Sequence, residues 1–366
     1  MSFSGLIVQL LNGLAGASSL FLVAAGLSLI FGVTRIVNFA HGSFFMLGIY
    51  IAYTLVERLG AGLGFWPALA LAALAVGVVG AVVEVVLLRR IYHAPELFQL
   101  LATFALVLVI KDGVLWLWGP GELMGPRAPG LSGAVNILGR EFPSYDLFLI
   151  VFGPLVLGGI WLLLTRTRFG TLVRAATQDR EMISALGVNQ AWLFTAVFAL
   201  GTLLAGLGGA LQLPREPAAL DLDLNTLASA FVVVVVGGLG SIPGAYVAAL
   251  LIAEIKALCI WLGVVQILGI SISFSKLTLV TDFLVMAIVL VARPWGLMGR
   301  PQTPNRYVGT QEEPLRRAGK TYVLAAAVFG LVLIAVPFLT AGSPYVTVLM
   351  VDVLIAALFA TSLHFI

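Results

Sequence analysis

Arg35, Asn38 and His41 fall within seven residues of one another in VTRIVNFAHGSFFMLG (33–48), between long runs of Leu, Val, Ala, Gly and Phe. A cation, an amide and an imidazole this close together can serve as a hinge, a partner contact or a proton relay. As a hinge, Asn38 and His41 would satisfy backbone groups where the chain turns back, and Gly42 would allow a tight re-entry. Further ionisable residues sit inside apolar runs: Glu84, Lys111, Asp112, Glu254, Lys256, Asp282 and Asp352. Such residues cost a few kcal/mol or more at a bilayer centre, so each is a functional candidate. Lys111 and Asp112 are adjacent and point about 100° apart on a helix; Glu254 and Lys256 also diverge. Each is expected to meet another helix, a water-filled cavity or the interface. Glu84, near Arg89 and Arg90, reads as interfacial, whereas Glu254 reads equally as path lining or structural pairing.

Hydrolytic and redox chemistry find no constellation. His41, His93 and His364 are far apart and lack metal-ligand spacing. No carboxylate pair or nucleophile elbow occurs, and GGLGSIPG (237–244) lacks the Lys and Ser/Thr of a nucleotide loop. No catalytic residue, metal site or cofactor is therefore expected in this chain, which disfavours a membrane enzyme. Cys259 stands alone, so there is no disulfide framework.

The elements that must position these residues follow from composition. Of 366 residues, 61% are apolar and 10% charged, against about 25% charged in soluble domains. Mean hydropathy is +1.10. Apolar runs near 20 residues recur and strand signals are weak, which predicts an all-α polytopic membrane protein rather than a barrel. Spans are predicted at 10–32, 43–58, 65–88, 98–118, 146–165, 192–213, 225–239, 244–264 and 279–293, about nine transmembrane or re-entrant helices, with two more at 321–340 and 345–366. The 225–239 run is short and Gly-flanked, as a half-helix or re-entrant segment beside a transport pathway would be. No Lys or Arg precedes Arg35, so a cleaved signal peptide is not expected.

Basic residues alternate between loops. Arg35, Arg89–Arg90, the group Arg166, Arg168, Arg174 and Arg180, and the group from Arg293 to Lys320 all fall on one side, expected to be cytoplasmic. The loop 119–145 then lies outside and is expected to hold a short interfacial piece. The net charge of +3 thus reflects topology, and nucleic-acid binding has no separate support.

Residues 165–191 form a basic loop with helix signals. Asp179 can N-cap a short helix, Glu181 lies in its first turn, Met182, Ile183 and Leu186 form an apolar patch, and Gly187 suits the C′ position. That patch would bury against headgroups or a partner protein, unless the loop is only a topology signal. In 237–244, Pro243 breaks the helix and Gly237, Gly238, Gly240 and Gly244 let the chain turn around Ser241 at membrane depth, where protein or a water-lined cavity must satisfy it. Gly201, Ala205 and Gly209 are spaced for close helix packing.

Four stretches resemble branched-chain amino-acid ABC importer permeases of the Liv type: GLSLIFGVTRIVNFAHGSFFMLGIY (26–50), RFGTLVRAATQDREMISALGV (168–188), VVVGGLGSIPGAYVAALLIAEI (234–255) and RPWGLMGRP (293–301). Ser43 departs from that pattern, which carries Glu. The resemblance covers about 1–301. It implies the permease subunit of an importer for branched-chain or related hydrophobic amino acids in a bacterial inner membrane. Two cytoplasmic ATPase subunits carrying ATP and Mg, a periplasmic binding protein and a second permease would be its partners. ATPase docking is then expected at Arg174, Ala175, Asp179, Arg180, Glu181, Met182, Ile183 and Gly187, and a translocation path at Gly237, Gly238, Gly240, Ser241, Pro243, Gly244 and Glu254. Urea, short amides or other small carboxylates are the alternative substrates. An ion-coupled secondary transporter using Asp112 or Asp282 is the rival class.

After a permease core at 1–293, residues 294–320 read as a Pro-rich linker. Residues 321–366 resemble the first spans of a second, LivM-type permease: SLHF at 362–365 parallels SLIF at 28–31. The expectation is a fused second permease that stops after its first spans, with two accessory spans as the alternative.

Overall fold

The computed structural model describes residues 3–92, 94–178, 180–267 and 270–299, with scattered positions between 324 and 355. The chain divides into two units, at Gln302 and Thr303. In the second, described positions such as Leu324, Val328, Phe329 and Leu331 are helical. His93, Asp179, residues 300–323, Asp352, the motif at 362–365, and the side chains of Arg180 and Glu181 lie outside what is described.

The first unit runs α1 (Phe3–Thr34), α2 (His41–Leu63), α3 (Phe65–Val83), α4 (Arg89–Ile91), α5 (Glu96–Trp118), β1 (Ala134–Ile137), β2 (Arg140–Pro143), α6 (Ser144–Arg166), α7 (Arg168–Gln178), α8 (Arg180–Ala185), α9 (Gln190–Gln212), α10 (Leu222–Gly237), α11 (Ile242–Leu262), β3 (Val264–Ile267), β4 (Ile270–Ser273) and α12 (Phe274–Ala292). A π-helical turn, Glu84–Leu88, fuses α3 to α4. Among the described residues seven helices are long and apolar enough to cross a bilayer: α1, the α3–α4 rod, α5, α6, α9, α11 and α12. With α2, of 23 residues, and the shorter α10, of 16, they make up the nine elements predicted for the core.

Burial sorts these helices into a centre and a rim. In their most apolar windows α1 is 78% buried and α9 67%, against 17% for α6 and 11% for α12. Small residues make the centre possible. A side chain at Gly201 would strike Ile30 and the Gly26 carbonyl; one at Gly209 would strike the Phe45 backbone. The spacing of Gly201, Ala205 and Gly209 therefore serves close packing, as read. Exposed Val82, Trp116, Leu155 and Val291 cover the rim with apolar surface suited to lipid.

Two antiparallel hairpins were not anticipated. β1 pairs with β2 inside the 119–143 loop, where an interfacial piece was expected. β3 pairs with β4 between α11 and α12. The basic loop also differs from its forecast, holding two helices, α7 and α8, rather than one. Gly187 does close α8: it has φ 82°, and Val188 N–H returns to the Ile183 carbonyl at 3.3 Å, the bond of a Schellman cap.

Candidate translocation path and coupling junction

α1 ends at Thr34, whose hydroxyl donates to the Ile30 carbonyl at 2.9 Å and accepts from Ile36 N–H at 3.3 Å. Arg35 then takes a left-handed backbone, φ 56°. That conformation costs a non-glycine residue about 1–2 kcal/mol. Its guanidinium donates to the Thr177 carbonyl at the end of α7, at 3.4 Å. Asn38 Oδ1 accepts from Ala40 N–H at 3.1 Å, and His41 Nε2 donates to the Val23 carbonyl at 2.9 Å. Asn38 thus satisfies a backbone group at the start of α2, whereas His41 reaches back to a carbonyl within α1. Gly42 works differently from the hinge reading. It is the close approach of the Asp223 carbonyl and Leu227 that excludes a side chain there, and the turn itself falls on Arg35.

The glycine-rich turn joins α10 to α11. Gly238 and Gly240 have φ of 102° and 81°, and Ser241 Oγ caps α11 by accepting from Gly244 N–H at 3.2 Å. Gly237 and Gly244 pack backbone to backbone. Pro243 occupies the first turn of α11, where no donor is lost. The 293–299 segment folds under this turn: Leu297 N–H donates to the Val236 carbonyl at 2.8 Å and Met298 N–H to that of Gly237 at 3.0 Å. These contacts satisfy the carbonyls that end α10.

α7 and α8 bury one side on the protein itself. Val173, Ala176 and Ile183 belong to the main core cluster. Ile183 is 4% exposed, whereas Met182 is 59% and Leu186 75%. The apolar patch read from the sequence is therefore split: Ile183 anchors α8, and Met182 and Leu186 face outward with Arg174, Ala175 being half-buried. Asn189 caps the following helix, its Oδ1 accepting from Trp192 N–H at 3.1 Å.

A cavity of about 460 Å³ opens between α1, α9, α10 and α11. Its volume falls within the range of about 300–1,000 Å³ common for small-molecule sites. Polar lining comes from Gln9, Asn12, Ser19, Gln212, Arg215, Glu216, Asn225, Thr226, Ser229 and Lys256, and its apolar floor from Leu20, Val23, Phe45 and Ile252. Gln9 to Val23 spans about 21 Å at 1.5 Å per residue, most of a hydrocarbon core. Val23 carries the carbonyl that holds His41, so His41 lies beneath the floor. Its Nδ1 has no hydrogen-bond partner among the described residues.

The candidate path glycines at 237–244 do not line this cavity; they meet Gly32 and Gly299 at the other end of the bundle. Glu254 lies beside it, its Oε1 buried behind Gly13, which does line it. Lys256 lines it directly and is paired with Asp282 of α12 at 2.7 Å, while Ser229 donates to the same carboxylate at 3.2 Å. Lys111 likewise meets another helix, with Asp223 of α10 at 3.6 Å. Asp112 is exposed.

Glu84 is fully buried within the protein. It takes Arg89 at 3.2 Å, the Tyr92 hydroxyl at 3.0 Å and the Thr195 hydroxyl at 2.5 Å. Arg215 and Asp146, paired at 3.0 Å, were not singled out from the sequence. Neither were the lining residues of α10, although Asn225, Thr226 and Ser229 form a polar stripe at i, i+1 and i+4.

Residues 9–293 match the family described as branched-chain amino acid transport system / permease component. The chain is 30% identical over 305 residues to the high-affinity branched-chain amino acid transport system permease protein BraD of Pseudomonas aeruginosa, covering 80% of this chain and 96% of that one. It is 24% identical to the corresponding LivH of Escherichia coli, with the same coverage. It is 28% identical to the probable branched-chain amino acid transport permease protein LivH of Methanocaldococcus jannaschii, over 76% of this chain and 88% of that one. No solved structure matches it significantly. An apolar helical bundle around a polar cavity, matched over nearly the full length of these relatives, places the chain in the branched-chain amino acid transport system permease family.

Proposed function

We propose that this chain is the membrane-spanning permease subunit of an ATP-driven importer of branched-chain or related hydrophobic amino acids in a bacterial inner membrane. The observation that carries this reading is the near-complete match to the BraD and LivH permeases, 96% of their length. The cavity supports it physically: a charged and amide-lined mouth over an apolar floor suits a solute with a polar head and a hydrocarbon tail. The chain would form the path and hold no ATPase site. Two cytoplasmic ATPases would bind ATP and Mg and dock on the α7–α8 face, a periplasmic binding protein would deliver substrate, and a second permease unit would complete the membrane part. Nucleotide binding would favour one arrangement of the spans over the other.

The relatives are matched within about four-fifths of this chain, and helical positions recur beyond Gln302. These facts support further helical segments after the permease core, which we read as part of a fused second permease, accessory spans being the alternative.

Reconstitution in proteoliposomes with the ATPases and the binding protein tests the function. ATP-dependent leucine uptake is expected. Uptake driven by a proton or sodium gradient without the ATPases would overturn the reading in favour of a secondary transporter. ATP-dependent uptake of urea or short amides, and none of leucine, would move the substrate class.

A further inference from the structure

A second cavity, of about 650 Å³, lies at the loop side of the first and is lined by Arg127, Glu141, Tyr145, Asp146 and Pro214, among others. Among the described residues Arg215 is the one that lines both cavities. Its position is fixed by backbone. The 213–221 linker continues from α9 through Arg215 N–H to the Gln212 carbonyl at 2.8 Å and Glu216 N–H to the same oxygen at 3.0 Å. Leu123 and Ala218 exchange two backbone hydrogen bonds, 3.1 and 2.9 Å, which tie the linker to the 119–143 loop.

The guanidinium stands between a carboxylate and a carboxamide oxygen. Its Nε is 3.0 Å from Asp146 Oδ1, and Nη1 reaches Gln212 Oε1 at 3.5 Å. Asp146 is mostly buried in the first turn of α6. A planar guanidinium binds carboxylates best through two nitrogens, and here the ion pair runs through Nε. An incoming α-carboxylate has the same chemistry as Asp146. Exchange of one for the other keeps the cation neutralised, and the displaced, mostly buried Asp146 escapes the cost of an unpaired charge by meeting the substrate's ammonium group. Asp146, once released, and Glu216, which lines the inner cavity, are anions for the ammonium group. Leu20, Val23, Phe45 and Ile252 below supply the surface for a hydrocarbon side chain.

We infer that Arg215 is the carboxylate-binding residue at the neck between the two cavities, taking the α-carboxylate of an apolar amino acid in exchange for Asp146. This rests on the proposed function. The test is equilibrium binding of radiolabelled leucine to the purified permease–ATPase complex without the binding protein, with unlabelled leucine and leucinamide as competitors. Leucine should compete and leucinamide, which lacks the carboxylate, should not. Arg215→Gln should weaken leucine binding roughly tenfold or more, the scale of a charge-assisted hydrogen bond, and abolish the discrimination. Arg215→Lys should recover part of both. The double variant Asp146→Asn with Arg215→Gln separates capture from structure: a purely structural pair predicts wild-type binding once both charges are gone, and that result would overturn the proposal. Unchanged leucine binding by Arg215→Gln, or equal competition by leucinamide in the wild type, would overturn it too. Absence of ATP-dependent leucine uptake by the wild-type complex would instead sink the proposed function.

Discussion

Gly32 and Gly240 stand against each other: a Cβ on Gly32 would lie 3.3 Å from the Gly240 Cα, and one on Gly240 would lie 3.1 Å from the Gly32 Cα. Gly32 is in the last turn of α1, just before Arg35 reaches Thr177 of α7. Gly240 is in the turn whose neighbour Gly238 packs on Gly299. Four separated stretches of sequence therefore close one junction at the basic end of the bundle. A displacement of α7 has a short route to α1, and α1 lines the cavity.

Replacing Gly240 by Ala should destabilise the junction twice over. Its φ of 81° costs a residue with a Cβ about 1–2 kcal/mol, and the new methyl meets α1 at tight contact distance. Gly32→Ala carries the contact without the backbone strain. Thermal unfolding of the purified complex is expected to rank wild type above Gly32→Ala, and that above Gly240→Ala. Equal midpoints would show that the turn and α1 are not rigidly packed.

Met182 and Leu186 should govern ATPase coupling, and Ile183 stability. Burying an exposed Met or Leu at an interface is worth about 1.5–3 kcal/mol each. Exposed substitutions away from special features shift stability by about 0.5 kcal/mol or less. The pair Met182→Asp and Leu186→Asp is thus expected to leave the unfolding midpoint near wild type while abolishing substrate-stimulated ATPase. Ile183→Ala should cost about 2–4 kcal/mol of stability. Normal stimulated ATPase in the Met182/Leu186 variant would remove this face from the docking surface.

Much of this was legible in the sequence because membrane helices announce themselves by length and composition, and because polar groups in apolar runs must be accounted for. Lys111, Glu254 and Lys256 could be denied their sequence neighbours as partners from helical angles alone. Asp223 and Asp282 as the partners of Lys111 and Lys256 required the fold, since each pair joins different helices. The glycine-rich turn was read as path because irregular backbone at depth needs satisfying. The structure satisfies it with the 293–299 backbone instead, and no local pattern announces that pairing. Arg215 escaped notice because it follows a span end, where a basic residue looks ordinary.

Lys256 and Asp282 should be separable into structural and transport roles. Removing the cation alone, in Lys256→Met, leaves a largely buried carboxylate without its ion pair. Breaking such a pair costs about 3–5 kcal/mol, toward the lower end here because the Lys256 side chain is 31% exposed. The double variant Lys256→Met with Asp282→Leu removes both charges and should regain most of the unfolding midpoint. Uptake should stay impaired in the double variant, because the cavity wall has lost its cation. Recovery of uptake together with stability would confine the pair to a structural role.

Glu84 should behave as a tie between the rod of α3–α4 and the start of α9. Its carboxylate takes Arg89 and the hydroxyls of Tyr92 and Thr195, and Arg89 also donates to Thr195 at 2.6 Å. The π-helical turn that begins at Glu84 is a local departure from regular helix of the kind that collects at functional sites. α9 follows directly from α8, so the tie stands where movement of the docking face would reach the spans. Glu84→Gln keeps the shape and accepts some of these bonds, whereas Glu84→Ala removes the acceptor shared by Arg89, Tyr92 and Thr195; Arg89 and Thr195 keep their bond to each other and Thr195 its bond to the Ala191 carbonyl, so the expected loss is about 1–3 kcal/mol in all. The expected order of unfolding midpoints is wild type, Glu84→Gln, Glu84→Ala, and the order of substrate-stimulated over basal ATPase ratios should follow it. A Glu84→Ala complex with wild-type stability but a lost ratio would assign Glu84 to coupling alone, and one unchanged in both measurements would remove it from either role.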